Sequence, residues 1–300
     1  MTRPAAGLFV RLDRSGHVDL DELRPRLEER PLGSVYVDAT RSGPVPALRT
    51  LATLRPWVRP SGALEVTLAL RPGHAVALEP RALAAAGVNR LAWTAPPRPL
   101  IPLGLRQAVD LRAGPRALAT AAWLAAQGVG HLAVTAADAR EADRLARAIG
   151  RLGFHRYDLW NLARPGQVCR HLRDARRGGE LLAAGPGAAG RIRVRDRWLV
   201  RRRGRWRPAD PLAVAVERVI DRLQLREGGD LAAIARDHGI ELPALIDRAA
   251  LERLRALGLL IGTGLRVRVA EPARAQTDPI LVDLLAPALT VLAAPAGSLR

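Results

Sequence analysis

The stretch that decides the fold reads Tyr157-Asp158-Leu159-Trp160-Asn161-Leu162-Ala163-Arg164-Pro165-Gly166. It continues through Cys169-Arg170-His171 and Arg177-Gly178-Gly179-Glu180-Leu181-Leu182 to Gly185-Pro186-Gly187-Ala188-Ala189-Gly190-Arg191-Ile192. Glycine this dense between short apolar runs marks backbone that turns sharply or lies close against another group.

Working outward, the chain before this stretch alternates between strand and helix periods. Gly7 to Leu12, Ser34 to Asp38, Leu64 to Leu70, Val88 to Trp93, Gln107 to Leu111, His131 to Thr135 and Phe154 to Leu159 read as strands. Asp19 to Glu29, Pro46 to Trp57, Glu79 to Ala86, Pro115 to Gln127 and Asp138 to Leu152 read as helices. The run from Thr94 to Leu103 is too rich in proline for regular structure. Such alternation predicts a parallel sheet with covering helices, either doubly wound or an incomplete barrel. After the glycine-rich stretch, Arg191 to Arg207 reads as a basic hairpin. Helices are expected over Leu212 to Leu223, Leu231 to His238 and Leu242 to Ala256, then a strand over Leu265 to Ala270. Three helices and an alternating strand predict a small winged-helix-like module. A final helix is expected over Gln276 to Leu285 and a frayed tail over 286–300. The expected division is 1–160, 161–207, 208–285 and 286–300.

Composition narrows the classes. Of 300 residues 48% are hydrophobic, so the chain can bury a core and is not of disordered composition. The net charge is +18, and every basic residue is Arg, none Lys. A polyanion partner is one reading, and codon bias of a GC-rich genome the other. Either way, non-specific, salt-dependent polyanion binding is expected. Cys169 is the one cysteine. It permits no intrachain disulfide and cannot by itself hold an iron–sulfur cluster. A cytoplasmic location is expected, with no signal peptide and no membrane span.

The opening stretch resembles the oxygen-independent coproporphyrinogen III oxidase-like family, the radical-SAM branch that includes the heme chaperones. That family reads roughly Y-E-I-S-N-F-A-R-P-G, then C/S-R-H-N, then G-G-D-Y-L-G-I-G-A-G-A-H-G. Glu65 to Gly73 is similar to the family's E-I-T-L-E-A-N-P-G, Ala86 to Leu91 to A-G-V-N-R-L, and Glu217 to Asp230 to the start of its C-terminal domain. The resemblance implies a partial (β/α) barrel of radical-SAM type, here shortened by internal deletions, followed by a winged-helix-like domain.

Where the family's first strand leads into a His and three cluster cysteines, this chain has Arg11 at the His position, Ser15 near the first Cys, and no thiol nearby. Asp38-Ala39-Thr40-Arg41-Ser42 stands in place of the family's G-G-G-T-P, and Ala69 and Arg71 replace its Glu and Asn. The resemblance therefore implies a protein without [4Fe–4S] and S-adenosylmethionine, and without the oxidase activity. It also implies a candidate heme ligand at His171, with Cys169 two residues away as a second soft donor.

Asn161, Gly185, Gly187 and Gly190 belong to the family segment; Asn161 is expected to tie backbone, and the glycines could cradle a phosphate. Arg201, Arg202, Arg203, Arg205 and Arg207 form the candidate polyanion-binding cluster. The functional expectations are a non-catalytic heme- or porphyrin-handling protein, a nucleic acid-associated regulator using the Arg-rich hairpin, or an inactive decaying paralogue. An open barrel edge would call for a covering protein partner.

Overall fold

The computed structural model describes residues 5–98 and 104–294. Two compact units divide the chain, one of Met1–Arg156 with Trp160–Arg207 and one of Tyr157–Leu159 with Pro208–Arg300. The segment 161–207 thus belongs to the first unit.

The first unit is built on β1 (Ala6–Arg11), α1 (Arg24–Glu28), β2 (Leu32–Asp38), α2 (Pro44–Leu54), β3 (Pro60–Leu70), α3 (Pro80–Ala85), β4 (Arg90–Trp93), β5 (Arg106–Arg112), α4 (Ala117–Ala126), β6 (His131–Thr135) and α5 (Ala139–Gly150). It continues through β7 (His155–Arg156), β8 (Asn161–Ala163), α6 (Arg170–Arg176), β9 (Leu181–Ala184), β10 (Gly190–Val194), β11 (Arg197–Arg202) and β12 (Arg205–Pro208).

The sheet order is β12-β11-β10-β9-β1-β2-β3-β4-β5-β6-β8-β7. Strands β1 to β6 follow one another in sequence and pair in parallel, and β9 adds a parallel strand beside β1. A doubly wound sheet would reverse its strand order at a switch point. This run of six never does, so right-handed crossovers carry its connecting helices to one face. Leu8, Val10, Val35, Val37, Leu68, Leu70, Leu91, Trp93, Val109, Leu132 and Val134 supply buried core from these strands. The architecture is that of an open barrel-type sheet, edged by β12 and β7. A two-residue β7 and an Arg- and Pro-bearing β12 are features that discourage edge-to-edge pairing.

Local departures from the sequence reading have local causes. Helix α1 starts only at Arg24, because Pro25 is tolerated in a first turn and not in a helix interior. The strand expected over Phe154 to Leu159 is two residues long. The Arg156 guanidinium pairs with Asp143 at 2.7 Å, and Tyr157–Leu159 departs to the second unit, where Asp158 bridges Leu225. The basic hairpin is a three-stranded meander. The Pro-rich run is irregular over 94–98, and 99–103 lie outside the described residues.

The second unit holds α7 (Pro211–Gln224), β13 (Gly229–Asp230), α8 (Leu231–His238), α9 (Leu242–Leu245), α10 (Arg248–Ala256), β14 (Leu260–Thr263), β15 (Arg266–Val269), α11 (Thr277–Leu284) and α12 (Ala286–Ala293). Its antiparallel strands run in the order β13-β15-β14. The single helix expected over Leu242 to Ala256 is two, because Ile246 is extended and Asp247 caps α10 by accepting from Ala250 N. The tail expected to fray is helical to Ala293. No single helix among the described residues is long and apolar enough to cross a membrane.

Gly185 has φ +93°, and a Cβ there would lie 1.8 Å from the carbonyl oxygen of Arg11. Gly62 has φ +87° with nothing near it. Gly185→Ala is expected to lower stability by about 3 kcal/mol, and Gly62→Ala by about 1 kcal/mol, since only the first adds a backbone clash to conformational strain. Urea midpoints of the two variants check this; equal losses would contradict it.

Candidate functional site

Side chains alternate along the strands, so the face opposite the helices carries a different residue set. Paired positions place Gly7, Ser34 and Glu65 in one row, and Phe9, Tyr36, Thr67, Arg90 and Arg106 in the next. A third row holds Arg11, Asp38, Ala69, Ala92, Ala108 and His131. This face is polar, and α6 packs on it against β1 and β2.

Glu65 organises it. Its Oε2 accepts from Arg90 Nε at 3.1 Å and lies 3.5 Å from Arg106 Nη1. Its Oε1 accepts from the backbone N–H of His171 at 3.1 Å and faces Cys169 Sγ at 3.6 Å. Arg90 also donates from Nη2 to the carbonyls of Gln167 and Val168. The Glu65 and Arg90 side chains are both buried. Burial pushes the Glu65 carboxyl up, but Arg90, the N–H groups of His171 and Arg170, and Arg106 outweigh it and hold the pKa below its usual value.

His171 is the second residue of α6 and is buried. Its Nδ1 lies 3.0 Å from Ser34 Oγ, and its ring packs 5.3 Å from Tyr36 and 6.3 Å from Phe9, centroid to centroid. Gly7 leaves the room the imidazole occupies, since a Cβ there would stand 3.1 Å from both Nδ1 and the Ser34 hydroxyl. Nε2 has no protein hydrogen-bond partner among the described residues. Burial lowers its pKa to about 4 against the opposing pull of Glu65, so the ring is neutral at pH 7. Burial likewise pushes the Cys169 thiol up to about 12, and its sulfur is turned to Glu65. The structure therefore separates the two soft donors expected from the sequence. Cys169 is a protonated thiol inside the Glu65 cluster, and His171 alone has a ring nitrogen to offer.

The other sequence candidates take structural places. Asn161 is buried in β8. Gly185 and Gly190 allow close backbone approach, Gly190 to Leu181 and the Trp206 ring, while Gly187 sits at φ +67° beside Arg11. None of the three stands in a strand-to-helix phosphate cradle. Arg201 corrects the polyanion set: it is buried, and its Nη1 donates to the carbonyls of Gly185 and Ala188, closing the glycine loop. Arg202, Arg203, Arg205 and Arg207 are exposed.

Sequence reading missed a cavity of about 700 Å³ at the carboxyl ends of β4, β5 and β6, lined by Thr94, Pro96, Asp110, Arg112, Thr120 and Thr135. Carboxyl ends of parallel strands are where such folds bind ligands. Desolvation raises the Asp110 carboxyl above its usual value. A lone acid in the apolar run Gln107-Ala108-Val109-Asp110-Leu111 was the available signal.

With this geometry in view, the chain compares with known proteins as follows. No protein-family model matches it, and no curated protein matches it. Its fold is similar to that of the Escherichia coli coproporphyrinogen III oxidase HemN. That protein is described as a radical SAM enzyme; the match has a TM-score of 0.64 at 14% identity and covers 93% of this chain and 90% of that one.

A [4Fe–4S] cluster of the kind that the family resembled in sequence carries does not fit the residues present. The loop after β1 holds Asp13, Ser15 and His17, with Asp13 Oδ1 accepting from Ser15 Oγ at 2.7 Å and from His17 N at 2.9 Å. No thiol stands there, and the one thiol of the chain is in the Glu65 cluster.

Burial also depresses His131, to about 3. Both histidines ordinarily titrate near 6.5, so between that value and their folded values the unfolded chain binds more protons and stability rises with pH. Unfolding free energy should fall as pH drops from 7 to 4, with about 3 kcal/mol of that fall belonging to His171. Denaturant titrations across this window should give a shallower slope for His171→Gln; a parallel slope would contradict the assignment. At pH 7 the same titrations should show Glu65→Gln costing roughly 3–5 kcal/mol, because it leaves Arg90 buried without its counter-charge.

Proposed function

We propose that this protein is a non-catalytic relative of coproporphyrinogen III oxidase-like proteins that holds heme or a metalloporphyrin through His171. The observation that carries the reading is the imidazole on the polar sheet face, with Nδ1 on Ser34, Nε2 unengaged, and the Phe9 and Tyr36 rings beside it. In this reading the ring takes the tautomer in which Nδ1–H donates to Ser34 Oγ, which leaves the Nε2 lone pair for iron, the usual arrangement of a ligating histidine. Aromatic rings suit a flat apolar macrocycle.

Cys169 has no part in this reading, because its thiol is protonated and bonded to Glu65. The residues of the β1 loop support the absence of radical chemistry, since Asp13, Ser15 and His17 do not supply the thiolates a cluster takes. Within this reading the second unit is winged-helix-like, on the strength of its helices and three-stranded sheet, and the protein works in the cytoplasm.

Heme titration followed by absorption tests it. The wild type should give a shifted Soret band, and His171→Ala should lose the shift while Cys169→Ala keeps it. An identical spectrum in His171→Ala would remove the ligand assignment. Formation of 5′-deoxyadenosine from S-adenosylmethionine by protein reconstituted with iron and sulfide would overturn the non-catalytic part.

A further inference from the structure

The meander β10–β11–β12 has two faces of opposite character. Pairing places Ile192 opposite Leu199 and Gly190 opposite Arg201. Ile192 and Arg201 are buried and Leu199 packs on the core, so this face is turned inward. Trp206 joins it, lying against Gly190.

The other face follows by alternation. Arg193 stands opposite Trp198 and Arg191 opposite Val200. Arg202 shares the face of Trp198 and Val200. Arg205 and Arg207, flanking the inward Trp206, come to the same side and are exposed. The result is one surface with arginine at 191, 193, 202, 205 and 207 around a half-buried Trp198, and no acidic residue of the meander on it. The single acid of the meander, Asp196, is in the β10–β11 turn, 3.8 Å from Arg193. Arg205 and Arg207 have no acidic partner among the described residues. Both turn tips carry an arginine with positive φ, Arg195 at 53° and Arg203 at 50°. That conformation is uncommon for a side chain that is not Gly, Asn or Asp, and it extends the cationic surface past both ends of β11.

We propose that this face binds single-stranded nucleic acid, its arginines on the phosphates and Trp198 stacking on a base. An aromatic ring surrounded by guanidinium groups on an exposed β-surface is the pattern by which sheets hold unpaired strands. Guanidinium also matches phosphate geometry bidentately. A membrane surface fits less well, because among the described residues Val194 is the only large apolar side chain exposed on the meander. An acidic peptide would use the charge but not the indole. The inference does not depend on the porphyrin reading, although Arg191 shares a sheet face with Gly7, against which His171 packs, two strands away.

The test is fluorescence anisotropy with a labelled oligouridylate of about twelve nucleotides, within the site size of such surfaces. Arg205→Glu/Arg207→Glu should weaken binding at least tenfold and reduce the slope of log affinity against log salt by about 1.4. Arg144→Glu/Arg151→Glu, an equal charge change on exposed arginines of α5 and its end, should change affinity less than twofold. Trp198→Phe should retain binding, and Trp198→Ala should lose about tenfold. Equal losses from the two Arg pairs would reduce the effect to net charge and overturn the proposal. So would binding of a duplex of the same length, or of a poly-glutamate peptide, as tight as that of the single strand.

Discussion

Everything at the polar face hangs on the carboxylate of Glu65. Its two oxygens gather Arg90, Arg106, the backbone of His171 and the thiol of Cys169, and Arg90 in turn grips the carbonyls of Gln167 and Val168. One buried ion pair therefore ties β3, β4 and β5 to the segment that leads into α6. A buried charge is tolerated only when its partners are held in place. That requirement sets where His171 lies: with the 167–171 backbone pinned, the imidazole falls between Ser34, Phe9 and Tyr36. The placement of the His171 ring is thus a consequence of electrostatics at its own backbone and its near neighbours.

The same cluster joins residues far apart in the chain across one sheet face. The fold is similar to that of an oxidase over nearly its whole length at very low identity, and in this chain it is held by the ionic cluster, the glycine loop and the apolar helix-facing residues. The residues after β1 form a closed turn around Asp13. Fold is a property of the packed face and function of the groups grafted on it.

Much of the architecture was legible in the chain. Hydrophobic periodicity located β1 to β6 and the helices between them, to within a few residues. The barrel-type winding was also written there, in a form easily passed over. Strands buried on both faces are continuously apolar, whereas Ser34-Val35-Tyr36-Val37-Asp38 and Glu65-Val66-Thr67-Leu68 alternate. That alternation already says one face is covered and the other polar. The candidate site was half legible. His171 stood out by its segment, but its separation from Cys169 did not, because a spacing of two residues places no side chain. Asp110 was visible as an isolated acid, and nothing local ties it to Thr94 and Thr135.

The sequence by itself determined the strand–helix rhythm, the single thiol, the excess of arginine and the glycines at which backbone crowds backbone. These follow from local sterics, side-chain alternation and composition, which need no knowledge of distant residues. Tertiary structure alone decided which arginines are structural and which face outward, that Arg201 closes a glycine loop while Arg205 and Arg207 are left in solvent, and that Glu65 meets residues more than a hundred positions away. Those outcomes depend on strand order, and strand order is fixed only when the whole sheet closes its hydrogen bonds and buries its charges together.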